Sequence, residues 1–162
     1  MPMFAKPQKE HDWLHQLVGE WTSEMDCAMG PDQPRQKSKG RETVRSLGGL
    51  WTLGEGEGEM PDGSTGRTLM TLGFDPAKGR FVGSFIGSMM THHWLYEGTL
   101  DEVANVLTLE SSGPNMMGDG AIIPYRDVVT LVSPDHRMLA SYMPDGKGGW
   151  SEFMTAQYRR VA

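Results

Sequence analysis

The segment SMMTHHWLYEG, residues 88–98, holds the side chains best suited to chemistry: two adjacent histidines, a tryptophan and a tyrosine. Successive side chains of a β-strand point to opposite faces, so His92, Trp94 and Tyr96 share one face and His93 lies on the other. The two histidines therefore cannot bind one metal ion together. Because aromatic bulk with polar tips is typical of a ligand-binding wall, we predict that the first three residues face inward. Alternatively, His92 is a core histidine that hydrogen-bonds a neighbouring carboxylate or hydroxyl.

The acidic repeat in LWTLGEGEGEM is the second candidate, since it alternates glycines with Glu55, Glu57 and Glu59. A solvated outer face is the simplest interpretation of these glutamates. Trp51 and Leu53 share their parity, however, so either the face changes from apolar to acidic near the rim or the strand contains a bulge. The glycines predict strong curvature or the close approach of a bulky group.

An inward-facing Glu55 would need a cationic partner, because burial of an unpaired carboxylate is strongly unfavourable. Arg45 and Arg126 are the candidates for that role. The predicted ligand-binding set is therefore His92, Trp94, Tyr96, Glu55 and Arg126. In an alternative hypothesis the protein is an isomerase or a hydrolase of the general acid/base type, with Glu55 or His92 as the base and Tyr96 as the hydrogen-bond donor.

Several better-defined sites are missing from the sequence. It contains no G-x-S-x-G elbow, no H-E-x-x-H, no P-loop and no G-x-G-x-x-G between a strand and a helix. The single cysteine, Cys27, has no partner for a disulfide or a zinc site, and we interpret it as a small buried hydrophobic residue. A net charge of −6 disfavours nucleic acid and anionic membrane surfaces as partners. We expect neither a metal nor a cofactor.

The length of 162 residues suits one domain over residues 1–162. The beginning of the chain lacks the apolar run of a secretory signal, and no later segment is apolar for long enough to span a membrane. We therefore expect a cytoplasmic protein.

Turn residues divide the sequence into short apolar or alternating runs, a rhythm typical of antiparallel strands. One helix is predicted at about 9–18, where Trp13, Leu14 and Leu17 recur at helical spacing and Gly19 follows as a terminator. The predicted strands lie near residues 20–28, 37–47, 50–60, 67–74, 80–88, 91–100, 104–111, 121–132, 136–143 and 149–160.

An open meander of this many strands would expose two long edges, which closure into a barrel removes. We predict an all-β fold: an antiparallel up-and-down barrel of about 8–10 strands over residues 20–160, with the helix at one end. A barrel of this size is not filled by its own side chains, so a cavity is expected. Residues 111–121 are predicted to form a surface loop, or alternatively a lid in which Met116 and Met117 cover the cavity mouth.

The segment LVGEW contains Gly19-x-Trp21, which resembles the signature of lipocalins and the related calycins. In those barrels the tryptophan packs at the closed end against an arginine of the last strand, and QYRR offers Arg159 or Arg160 for this role. More broadly, residues 10–160 resemble a bacterial domain-of-unknown-function family, family 1579. The resemblance rests on HDWLHQLVGEW, GRETVRSLGGLW, TLGFDPAKGRFVGSFIGSMMTHHWLYEGTL, SSGP, YRDV and EFMTAQYRR. It implies a lipocalin-like (calycin-like) barrel and transfers no catalytic residues.

Among distant barrel relatives, nitrobindins hold haem through a histidine close to the C-terminus. This sequence has no histidine after His136, so haem is disfavoured, and ligation by His92 would require a different pose of the cofactor. The leading hypothesis is that the barrel encloses a small, largely apolar ligand. In a further alternative, the barrel is packed solid and its outer face binds a partner protein. A homodimer through outer strands is also considered.

Overall fold

The computed structural model describes residues 4–30 and 32–161. Ten strands form one closed antiparallel barrel, in which sequence neighbours pair and the first strand closes on the last. The predicted all-β barrel with one short helix is confirmed. In chain order the elements are α1 (Lys9–His15), β1 (Gly19–Cys27), β2 (Gln36–Leu47), β3 (Trp51–Glu59), β4 (Thr65–Asp75), β5 (Arg80–Gly87), β6 (Trp94–Asp101), β7 (Val106–Pro114), β8 (Ile122–Ser133), β9 (His136–Pro144) and β10 (Trp150–Arg160).

Helix α1 closes one end of the barrel and is shorter than predicted, since it ends at His15. At its beginning the backbone N–H of Gln8 donates to Nδ1 of His11 over 2.9 Å. The Nε2 atom of His11 lies 3.2 Å from the carbonyl oxygen of Phe74, which joins the helix to β4. No helix in the described part of the chain is long and apolar enough to cross a membrane.

The Gly-x-Trp segment follows the helix and anchors the closed end. Gly19 has a φ of 141°, a backbone conformation that favours glycine. Trp21 is 1% exposed, and the guanidinium carbon of Arg160 lies 4.3 Å from its ring centroid. The same guanidinium donates to the carbonyl oxygens of Val18 at 2.7 Å and Gln16 at 2.8 Å. Of the two arginines considered, Arg160 therefore contacts the tryptophan.

The hydrophobic core lies between the helix and the half of the barrel nearest to it. Residues from every second position of the strands point inward and meet the apolar face of α1. Aromatic rings also pack edge to face in this core, since the ring centroids of Phe74 and Phe81 are 5.0 Å apart. The buried members of the core are Trp13, Leu14, Leu17, Trp21, Val44, Leu72, Phe81, Tyr96, Leu107, Leu109, Val129 and Leu131.

Candidate ligand-binding site

Tyr96 lies inside the barrel, as its parity predicts, and belongs to a polar group. Its hydroxyl donates to Oδ2 of Asp127 over 2.5 Å, while the hydroxyl of Ser141 donates to Oδ1 over 2.6 Å. Burial raises the pKa of Asp127, and the two hydroxyl donors oppose this shift. Burial, together with the charge of Asp127, raises the pKa of Tyr96 well above its ordinary value. Tyr96 therefore stays protonated and holds the carboxyl group in place.

His92 and Trp94 lie together at the rim, farther from the helix. Their ring centroids are 4.7 Å apart in an edge-to-face arrangement, and Trp94 packs in the same way on Tyr125 at 5.0 Å. Nε2 of His92 lies 2.9 Å from the carbonyl oxygen of Ser112. The imidazole is half-buried just before β6 begins. This arrangement corresponds to the hydrogen-bonded alternative, although its partner is a backbone carbonyl.

Glu55 lies on the outer wall, which corrects its assignment to an interior site. Its carboxylate pairs with Arg45 of β2, and the two side chains are 56% and 61% exposed. Strand β3 pairs with β4 in continuous register from Trp51 to Glu59 and contains no bulge. The outer face of β3 therefore changes from apolar to acidic along its length.

Arg126 also points outward, because its neighbour Asp127 faces the interior. Its Nε donates to Glu110 over 3.0 Å, and its guanidinium carbon lies 4.3 Å from the ring centroid of Trp150. Arg126 is thus separated from the interior groups by the wall itself. Since Glu55 is outside as well, the structure does not bring together the acid/base set of Glu55, His92 and Tyr96.

Glycines line the inner surface of β2, β3 and β4. Gly40, Gly58 and Gly66 are cross-strand partners and form a row across the three strands. Gly56 lies on the same face of β3. We call these four residues the glycine wall. Beside it remains a cavity of about 150 Å³.

The other boundaries of this cavity are methionines, hydroxyl groups and one phenol. Met60 and Met89 lie over Gly66, where they partly cover the mouth of the barrel. Among the interior side chains that line the cavity are Ser23, Met25, Ser38, Glu42, Thr68 and Tyr158. The lining therefore combines flexible methionine side chains with hydroxyl groups and a carboxylate.

A buried ion pair lies at the inner end of the cavity. Glu42 accepts a hydrogen bond from Arg137, and their side chains are only 12% and 7% exposed. The guanidinium carbon of Arg137 lies 3.9 Å from the ring centroid of Tyr158 and 4.8 Å from that of Trp21. Contacts of a cation with aromatic faces add to the ion pair. Two rings and one carboxylate thus surround the buried positive charge.

Tyr158 connects the ion pair to the cavity. Burial raises the pKa of Tyr158 to about 12, the charge of Glu42 adds to this shift, and Arg137 opposes it. The phenol consequently keeps its proton at neutral pH. Its hydroxyl group makes no hydrogen bond to another described residue. It is therefore a donor and acceptor that faces the cavity.

The sequence argument missed Glu42, Arg137 and Tyr158. A signal existed, because a charged residue at a position that shares its face with apolar neighbours is unusual. Glu42 alternates with Gly40 and Val44, and Arg137 has the parity of Leu139. The signal is weak at Arg137, because the opposite face of β9 carries Met138, Ala140 and Tyr142 and is just as apolar.

The described residues do not fit haem or a metal ion. None of the His, Cys, Asp and Glu side chains in the described ranges form a group of three or more that could hold a metal. His136 is the last histidine, and its Nε2 lies 2.6 Å from Oε1 of Gln157. No histidine follows it, so the C-terminal haem ligand of nitrobindins has no counterpart in this chain.

Solved structures with the same fold are distant in sequence. Rv2717c from M. tuberculosis is 14% identical with a TM-score of 0.70, and the alignment covers 97% of this chain and 100% of that one. The S-type phycobiliprotein lyase CPES from Guillardia theta is 12% identical with a TM-score of 0.60, covering 98% and 99% of the two chains. EF1p2_mFAP2b bound to DFHBI is 10% identical with a TM-score of 0.50, covering 93% and 98%. At these identities the similarity shows the fold alone.

Sequence comparison identifies the family. No curated protein matches the chain. The family model described as "Protein of unknown function (DUF1579)" matches residues 6–160, which agrees with the resemblance noted in the sequence. The chain therefore belongs to the DUF1579 family.

Proposed function

We propose that the protein binds a small, largely apolar molecule in the cavity beside the glycine wall. The observation that carries this proposal is Gly58. A Cβ atom at this position would come no closer than 3.8 Å to a neighbouring strand, so neither sterics nor its φ requires glycine. Glycine inside a strand costs about 0.5–1 kcal/mol relative to alanine. Open space is therefore maintained here at the expense of stability, as expected of a binding cavity.

The size of the cavity limits the ligand. A cavity of about 150 Å³ is large enough for a molecule the size of benzene. Binding free energy reaches at most about 1.5 kcal/mol per non-hydrogen atom for very small ligands, so dissociation constants in roughly the micromolar to millimolar range are expected. The flexible side chains of Met60 and Met89 allow a substituent to extend through the mouth.

The residues predicted from the first motif have different places in this proposal. His92 and Trp94 pack against each other outside the lining of this cavity. Tyr96 holds Asp127 and contacts the ligand only if the ligand reaches the middle of the barrel. A similar barrel, EF1p2_mFAP2b, is bound to DFHBI, which supports the idea that this fold accommodates small molecules. A cytoplasmic location and homodimerisation through outer strands stay predictions.

The test is to fill the cavity without changing the rest of the wall. Gly58→Leu places an isobutyl group in the cavity, and Thr65→Leu adds a leucine side chain to the exposed outer face of the neighbouring strand β4, outside the cavity lining. Thermal unfolding is measured with and without toluene. At a toluene concentration of about 100 times Kd, binding adds about 2.7 kcal/mol, which raises Tm by about 5–11 °C.

The wild-type protein and Thr65→Leu should show this increase, whereas Gly58→Leu should not. Native mass spectrometry of protein purified without denaturation gives a second readout, because a retained compound should be lost only in Gly58→Leu. If toluene stabilises Gly58→Leu as much as the wild type, or if neither toluene nor phenol stabilises the wild type, the proposal is incorrect.

A further inference from the structure

One oxygen of Glu42 is available to a ligand. Oε1 accepts a hydrogen bond from Arg137, whereas Oε2 accepts none from a described residue. Oε2 lies next to the inner surface of β3, where a Cβ atom at Gly54 would be only 2.7 Å from it. Gly54 borders a recess of about 20 Å³ beside the cavity, and Glu42 lines both spaces. A hydrogen-bond donor at the inner end of the cavity therefore meets the carboxylate of Glu42, whose second oxygen is turned towards this recess.

The hydroxyl of Tyr158 is the second group at this place. It lines the same cavity and keeps its proton at neutral pH. A phenol hydroxyl both donates and accepts one or more hydrogen bonds. A hydroxyl or N–H group of a ligand placed between the two residues can donate to Glu42, and a ligand oxygen there can also accept from Tyr158.

The charges around the cavity disfavour an anion. Among the described residues, buried carboxyl groups inside the barrel belong to Glu42 and Asp127, and the buried guanidinium of Arg137 already pairs with Glu42. A ligand carboxylate in the cavity would meet the like charge of Glu42. Lys39 and Arg41 also border the cavity, but both belong to the outer face of β2 and are exposed, so water screens their charges.

We infer that the ligand of this cavity is a ring-sized molecule that carries a hydrogen-bond donor and no negative charge, and that Glu42 and Tyr158 together recognise the donor. The inference rests on the proposed function, since it names the ligand class of the same cavity. A phenol is the simplest molecule with these properties. Carboxylic acids, which are anions at neutral pH, are excluded.

The experiment compares three probes of similar size: phenol, toluene and benzoate. Titration calorimetry at pH 7 should give the wild-type protein an affinity for phenol about 10–100-fold higher than for toluene, because a hydrogen bond to a charged group contributes about that factor. Benzoate should bind more weakly than toluene, by about tenfold or more, since its charge meets that of Glu42.

Two variants identify the recognising group. Tyr158→Phe removes only the hydroxyl and should lower the phenol affinity by about fivefold without changing that for toluene. Tyr142→Phe is the matched control, because Tyr142 lies on the outer face of β9, next to Ser141, which points inward. If Tyr158→Phe does not fold, the order of the three probes on the wild type still decides.

The outcomes separate the two proposals. Equal binding of phenol and toluene, or tighter binding of benzoate, overturns the inference and leaves binding in the cavity intact. Loss of all three probes in Gly58→Leu supports the cavity as their site. Failure of every probe to bind the wild type overturns both.

Discussion

Neutralising Glu42 should destabilise the protein strongly, although the change adds or removes no volume. The Glu42→Gln substitution leaves the guanidinium of Arg137 buried, at 7% exposure, without a counterion. Removing one partner of a buried ion pair costs about 3–5 kcal/mol. For a chain of this length each kcal/mol corresponds to about 2–4 °C in Tm, so we expect a decrease of about 6–20 °C.

The outer wall supplies a matched control of the same two residue types. Arg45 and Glu55 also pair across neighbouring strands, but their side chains are 61% and 56% exposed. Exposed pairs contribute about 0–1 kcal/mol, so Glu55→Gln should change Tm by less than about 4 °C. Added salt should weaken the outer pair further and leave the inner pair nearly unchanged.

A double-mutant cycle tests whether the loss comes from the pair. Arg137→Met alone leaves the carboxylate of Glu42 buried and unpaired, and should cost about as much as Glu42→Gln. The double variant has no buried charge at this place, so it should recover most of the loss, with a coupling free energy above about 1.5 kcal/mol. Urea unfolding at pH 7 measures all four proteins. Inner single variants that cost under 1 kcal/mol would refute the reasoning, because solvent would then reach the inner pair as it does the outer one.

Three further predictions test other parts of the barrel. Gly113→Ala should lower the free energy of unfolding by about 1–3 kcal/mol, because its Cβ would lie 2.3 Å from the ring of Trp94. Gly58→Ala should be neutral or stabilise by about 0.5–1 kcal/mol. Equal effects of the two variants in urea unfolding would contradict the conclusion that only Gly58 has room for a Cβ atom. Burial raises the pKa of Asp127 above the ordinary 3.8, so the native state holds this proton longer than the unfolded chain, and its contribution to stability falls as pH rises through the raised pKa. As the pH rises from 4 to 7, the urea midpoint of the wild type should therefore fall relative to that of Asp127→Asn. A difference between the two midpoints that does not change with pH would refute this prediction. Arg160→Met should cost about 2–4 kcal/mol through lost hydrogen bonds and the lost aromatic contact, while Arg159→Met, on the outer face, should stay within about 0.5 kcal/mol.

The fold was largely predictable because each strand carries its own signals. Alternation and turn residues locate all ten strands, most of them to within a few residues. The helix ends early because its last turn tightens into i to i+3 hydrogen bonds. The N–H of Leu17 donates to the carbonyl oxygen of Leu14 over 3.0 Å, and that of Val18 donates to the carbonyl oxygen of His15 over 3.2 Å. Apolar spacing does not distinguish such a turn from a helix. Likewise, β7 continues to Pro114, so only 115–121 of the predicted loop lie between strands.

The site was less predictable, because its groups meet across the barrel. Parity within one strand correctly groups Trp94 and Tyr96 on the inner face, and it also groups Glu55 with Trp51. Parity alone does not show which face of a strand points inward, because this depends on how the strand pairs with its neighbours. Glu42 and Arg137 are 95 residues apart in sequence, so no local pattern connects them.

The glycines of the inner wall have two separate physical roles, and only one of them points to a ligand. At Gly83 and Gly98 a Cβ atom would lie 2.1 Å and 2.5 Å from a carbonyl oxygen of the neighbouring strand, and at Gly40 the distance would be 2.4 Å. These residues allow the strands to approach as the barrel closes, so their replacement disturbs the backbone. Gly58 is next to Gly40 in the sheet, yet its nearest neighbouring-strand atom would be 3.8 Å away. Closure of the barrel therefore does not explain it, and substitution at this position changes the cavity while the fold is retained.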